Sequence, residues 1–109
     1  MKEFVEPLAA LNKEWGDLTM QIGMRAMQNP DEVGAAAVDY LYFSGYVTLA
    51  YLWARMALVA QEKLASGSTE VDFYNAKVTT ARFYFKKILP RVRSHVDVIA
   101  GGVEPLLAL

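Results

Sequence analysis

YLYFSGYVTLAYLWARMALVA, residues 40–60, carries a single charge, Arg55. Its length alone would permit a membrane span. Arg55 lies well inside the run, however, where a cation costs about 2.5–3.5 kcal/mol. The rings of Tyr42, Phe43, Tyr46, Tyr51 and Trp53 are spread through its middle and are not gathered at two interfaces. The stretch therefore reads as a buried central helix, not a membrane span, and the remaining elements must be arranged around it.

Two breaker clusters bound this helix. Upstream, Gln28-Asn29-Pro30-Asp31-Glu32 offers Asn29 as an N-cap, Pro30 at the first helical position and Glu32 as the far side of a capping box. Downstream, Ser66-Gly67-Ser68-Thr69 supplies Gly67 for a left-handed C-terminal position and Ser68 or Thr69 as the next cap. Gly101-Gly102 closes the last segment, and Pro105 follows. The spacing predicts three long helices, at about 3–28, 31–65 and 69–100. The first has one apolar stripe, Phe4, Leu8, Leu11, Trp15, Leu18 and Ile22. The third has another, Val71, Tyr74, Val78, Ala81, Phe85, Ile88, Val92, His95 and Ile99. The middle segment repeats the spacing through Val38, Leu41, Gly45, Thr48, Leu52 and Met56, but its other faces are apolar too. Short loops make consecutive helices antiparallel neighbours. The expected fold is all-α, an elongated up-down bundle of three helices with the second most buried, or four if one breaks at Gly16 or Pro90.

The chain is 109 residues long, enough for one domain, with 54% hydrophobic and 21% charged residues. A three-helix bundle leaves the outer face of each member wet. A middle helix apolar nearly all round therefore requires either a fourth element or a partner on an exposed patch. Docking is the favoured expectation, with Tyr42, Tyr46, Tyr51 and Trp53 as candidate contacts to another domain or subunit.

The residues exclude more chemistry than they offer. With no cysteine, disulfides, thiolate nucleophiles and cysteine metal sites are impossible. Met1-Lys2-Glu3-Phe4-Val5-Glu6 is not a signal peptide, because acids interrupt the required apolar run. His95 lies on the third stripe without metal-ligand or triad spacing, so it reads as a satisfied core or boundary residue and no catalytic or metal residue is assigned. Asp39, at the edge of the apolar helix, reads as a bond to another helix. A net charge of -1 gives no reason to expect nucleic acid. One asymmetry remains: Lys77, Arg82, Lys86, Lys87, Arg91 and Arg93 have no acid among them. Arg82, Lys86 and Arg93 share a face, either balanced by acids of the first helix or of a partner domain, or offered to a phosphate.

Asp39-Tyr40-Leu41 with Gly45 and Trp53-Ala54-Arg55-Met56-Ala57 form one distinctive segment. Asp72-Phe73-Tyr74-Asn75-Ala76-Lys77, running into Thr80-Ala81-Arg82-Phe83-Tyr84-Phe85 and Leu89-Pro90-Arg91, form another. Together they resemble the extra C-terminal helical domain of a bacterial acyl-CoA dehydrogenase branch, the acetyl-CoA dehydrogenase-like C-terminal domain, which methylmercaptopropionyl-CoA dehydrogenases also carry. The likeness covers about residues 29–99. It implies a cytoplasmic parent enzyme of fatty acid metabolism that uses FAD to remove hydrogens from Cα and Cβ of an acyl-CoA. In that family the catalytic glutamate and most flavin contacts sit in preceding domains, so no cofactor is expected in this chain. Met1 would then not be a natural start. The partners implied are the preceding dehydrogenase domains or another subunit, in a homo-oligomer, and any phosphate on the basic face would be that of CoA or flavin. Two other readings stand beside it: a free-standing helical adaptor that holds a partner helix, and a ligand-binding enzyme with a pocket among Tyr42, Tyr46, Trp53 and Tyr84.

Overall fold

In the computed structural model, which describes residues 1–107, the expected breaks become the ends of three antiparallel rods. Helix α1 is Lys2–Gln28 and α2 is Asp31–Ala65. The third rod is composite: α3 Val71–Phe83, a π-helical turn Tyr84–Ile88, a 3-10 turn Leu89–Arg91 and α4 Val92–Ala100. A one-turn helix α5, Glu104–Leu107, follows. The all-α bundle measures 60 × 22 × 16 Å, as expected for helices of this length rising about 1.5 Å per residue.

Loop chemistry fixes the reversals. The Asn29 side chain accepts the Asp31 N–H at 3.1 Å, so Asn29 caps α2. The reciprocal arm of the expected capping box does not form. The Asn29 N–H is already committed to the Arg25 carbonyl as the last bond of α1, and the Glu32 carboxylate accepts the Val103 N–H instead, at 3.3 Å. At the other reversal Gly67 takes φ +82°, Ser68 N–H reaches the Lys63 carbonyl and Gly67 N–H the Leu64 carbonyl. This is a Schellman closure.

Of the two candidate break points, only the proline acts. Gly16 leaves α1 continuous, because a glycine costs a helix about 1 kcal/mol but removes no donor. Pro90 lacks an N–H, and its ring would collide with the carbonyl four residues back. The rod accommodates it by widening, with Leu89 N–H bonded to the Tyr84 carbonyl five residues earlier. The extra residue brings both Tyr84 and Phe85, then both Ile88 and Leu89, toward the core.

The stripe of α1 packs inward as its spacing requires, and so does that of the third rod from Tyr74 onward, Val71 lying exposed. In α2 the expectation is overturned. Val38, Leu41, Gly45, Thr48, Leu52 and Met56 all face outward, and the buried residues are Ala36, Phe43, Val47, Ala50, Ala54, Ala57 and Ala60. The inner seam keeps the three-and-four spacing but is built largely of alanine. Its neighbours supply the volume: Leu11, Trp15 and Leu18 from α1, and Tyr84, Leu89 and Val92 from the third rod. Small residues on the shared helix let both flanking rods approach to the usual 8–10 Å or so. The middle helix is central in the bundle and buries Phe43 and Val47, yet it shows many of its other large residues to the outside.

Phe4 at the start of α1 packs with Ala54, Ala57 and Ala81. Beyond that level the bundle is α2 against α3 alone, which leaves Val59, Val71 and Phe73 exposed.

Candidate functional site

The candidate contact residues divide. Tyr46 and Trp53 are half-buried and pack against the core, while Tyr42 and Tyr51 are exposed. Tyr42 stacks on the His95 imidazole with ring centroids 5.3 Å apart, and the Tyr46 ring is tilted against it at 5.8 Å. His95 Nδ1 lies 2.9 Å from Asp39 Oδ1. Asp39 thus reaches across from α2 to α4. Tyr51 accepts a hydrogen bond from Arg55 at 2.9 Å, so the single cation of the apolar stretch is held by its own helix.

Neither of the two open pockets on the surface is lined by Tyr42, Tyr46, Trp53 or Tyr84. Tyr84 donates its hydroxyl to the Tyr46 carbonyl at 2.6 Å, filling the space between α2 and the π turn. Burial pushes the Tyr84 phenol up to about 12, with the neighbouring Tyr46 adding to the rise.

Arg82 forks onto Glu3, Nε to Oε1 at 2.6 Å and Nη2 to Oε2 at 3.0 Å. That bond holds the Glu3 carboxyl below its ordinary value and raises the guanidinium of Arg82. Arg93 forks onto Glu14 in the same way and is likewise raised. Lys86 is exposed and makes no ion pair among the described residues. The acids that balance this face are therefore those of α1. A flavin or CoA diphosphate needs several free donors converging on one point. Here two of the three bases are committed to carboxylates, so the set does not fit such a group. Nor do three metal-ligating side chains converge anywhere among the described residues.

Two features escaped the sequence. Arg25 donates to the Ile99 carbonyl at 3.0 Å and the Ala100 carbonyl at 3.4 Å, so together with Glu32 it clasps the chain leaving α4. A basic residue in the last turn of α1 and an acid in the first turn of α2 were the only signals. The second feature is an open apolar groove of about 610 Å³ between α1 and α2, lined by Ile22, Gly23, Val33, Ala37 and Leu41 among others. It adjoins the outer face of α2. The two together leave an apolar strip uncovered, with Val38, Leu41, Leu49, Leu52 and Val59 all exposed.

This arrangement, a bundle closed by its own ion pairs on one side and open and apolar on the other, is the setting for the comparison with known proteins. The sequence model of the family described as acetyl-CoA dehydrogenase C-terminal like matches residues 1–109, the whole chain. The chain belongs to that family. As a member of the acetyl-CoA dehydrogenase C-terminal-like family it also has a curated relative, a broad-specificity linear acyl-CoA dehydrogenase of Mycobacterium tuberculosis. The two are 37% identical over 70 residues, a match covering 62% of this chain and 12% of that enzyme. The chain therefore corresponds to a small part of that relative's length. Within this family member, α2 is also the one described helix long and apolar enough to cross a membrane. Its inner seam is nevertheless packed against α1 and the third rod.

Proposed function

We propose that this chain is the non-catalytic C-terminal accessory domain of a cytoplasmic, FAD-dependent acyl-CoA dehydrogenase of fatty acid metabolism, and that it supports packing between domains or subunits. The observation that carries the reading is the inversion of α2, which buries alanines and presents leucines, valines and tyrosines. Covering apolar surface is worth about 25 cal/mol per Å², so an uncovered strip of this kind is a binding surface in a larger assembly. Family membership supports the dehydrogenase body or a further subunit as that assembly. In this reading flavin binding and the removal of hydrogens from Cα and Cβ belong to that body. The side chains here contribute packing, and Arg82 and Arg93 are paired with Glu3 and Glu14 of α1.

Two measurements test the proposal. The isolated chain, mixed with FAD and a series of acyl-CoAs, is expected to show no thermal shift and no turnover with an artificial electron acceptor. Saturable flavin binding or turnover would overturn it. In the full-length dehydrogenase, deletion of this domain is expected to leave flavin bound but to lower the melting temperature and disturb assembly. A truncated enzyme unchanged in both would sink the packing role. The groove between α1 and α2 also suits a free-standing adaptor that holds a partner helix. The reading frame upstream of Met1 separates the two readings: a continuous dehydrogenase frame supports the first.

A further inference from the structure

We propose that the open pocket between α2 and α3, walled by Arg55 and Lys77, receives an Asp or Glu side chain of the dehydrogenase body, carried there among apolar neighbours. This rests on the packing role proposed above and names the chemistry of one contact within it.

The pocket, of about 320 Å³, has an apolar lining of Met56, Val59, Ala60 and Phe73, while Arg55 and Lys77 bring its only charges, both positive. Glu62 and Asp72 are the acids nearest to them in sequence on the two helices, and neither makes an ion pair with them. Elsewhere the bundle answers its arginines. Arg82 and Arg93 meet Glu3 and Glu14 of α1, and Arg25 meets the carbonyls of Ile99 and Ala100. Helix α1 cannot serve this pocket in the same way. Its first turn packs at the level of Ala54, Ala57 and Ala81, and among the described residues none of α1 lines the pocket. The missing carboxylate must come from outside.

Both cations are held in place without being neutralised. Arg55 donates Nη1 to the Tyr51 hydroxyl at 2.9 Å, with its guanidinium 5.8 Å from the centre of that ring. The Lys77 ammonium lies 5.3 Å from the centre of the Phe73 ring. A phenol oxygen and a ring face are uncharged partners, so each cation keeps its charge and the guanidinium keeps most of its five donors. Long side chains that are already ordered lose less freedom when an anion arrives. Two like charges on one pocket also repel, and a carboxylate between them turns that repulsion into attraction.

The lining decides what carries the anion. Phe73 is 55% and Val59 45% exposed, and an inorganic ion or a phosphate would leave both wet. A site for a small molecule buries about 70–90% of its occupant, which a trough this open does not do. A protein surface covers the apolar rim while its carboxylate meets the cations. Complementary charge of this kind fixes the register in which a domain docks.

The test uses a zero-length carbodiimide, which joins a lysine to a carboxylate only where the two touch. In the full-length dehydrogenase it is expected to link Lys77 by an amide to an Asp or Glu outside this domain, located by peptide mass spectrometry. Lys77→Arg should lose the link and keep the domain docked. Reversing both charges, Arg55→Glu with Lys77→Glu, should let limited proteolysis release the domain about tenfold faster. Exchanging the linked acid for Lys should then restore most of the resistance. Links from Lys77 to acids of this chain alone, or none at all, overturn the proposal, and so does a doubly reversed enzyme as resistant as the original. If either comes while deletion of the whole domain still disturbs assembly, the packing role stands and this contact alone is excluded. If deletion disturbs nothing, the packing role fails and the contact with it.

Discussion

Asp39 and His95, fifty-six residues apart in the chain, meet at 2.9 Å between α2 and α4 with Tyr42 stacked over the imidazole. Both side chains are about one-fifth exposed, so the pair is partly shielded from water while the tyrosine ring covers it. A hydrogen bond to a charged group in such a place is worth about 1.5–3 kcal/mol. Asp39→Ala and His95→Ala should each destabilise the bundle by about that amount in urea unfolding. The double variant should lose little more than either single one, leaving a coupling of about 1–2 kcal/mol in the cycle. Simple additivity would show that the contact carries no energy.

Tyr84 gives the bundle an alkaline limit. Its phenol is raised to about 12 in the folded state, first by burial, against about 10 in an unfolded chain. A raised value means that the folded form keeps its proton longer. The associated stability is fully present below pH 10 and is lost as pH climbs toward 12, roughly 2–3 kcal/mol in all. Tyr84→Phe should flatten that part of the stability profile, and absorbance at the phenolate band should show one tyrosine titrating late.

At the acid side the sign reverses. Glu3 is held below the ordinary carboxylate value by its bond to Arg82. The contribution of that pair is therefore present above the usual carboxylate range and disappears as pH falls through the depressed value. Both side chains are nearly half exposed, so the effect is small and screened by salt. Carbon-detected NMR titration should find Glu3 protonating below the ordinary carboxylate range, and Arg82→Ala should return it to that range.

Glycines separate by backbone conformation. Gly102 takes φ +72°, and a Cβ there would lie 3.5 Å from the Glu32 carboxylate. That contact is ordinary, so the cost of Gly102→Ala is the left-handed backbone, about 1–2 kcal/mol. Gly16 lies in the middle of α1 with open space around it. Gly16→Ala should raise stability by about 0.5–1 kcal/mol. Thermal melts of the two variants should move in opposite directions.

The inversion of α2 makes its own prediction. Ala50 is fully buried, so Ala50→Leu should push the flanking rods apart and cost about 1–3 kcal/mol or more. Leu49, its exposed neighbour, should tolerate Leu49→Ala within about 0.5 kcal/mol of fold stability. Ordinary hydrophobicity rules would rank the two the other way.

By itself the sequence determined the helices, their ends and the inward stripes of α1 and the third rod. Local chemistry decides these: Asn29 caps, Gly67 reverses, Pro90 disturbs the rod, and Phe4 through Ile22 recur with one period. It also carried the resemblance that the family match supports. Only the tertiary structure decided which side of α2 faces the core. Periodicity separates apolar from polar, and α2 offers two opposite apolar seams. The choice between them is one of volume, because α1 and the third rod bring many of the large side chains and leave room mostly for alanine, with Phe43 and Val47 the exceptions. The same holds for Arg82 with Glu3 and Arg25 with the carbonyls of Ile99 and Ala100. Partners more than seventy residues apart become neighbours only when the rods dock, so no local pattern could announce them.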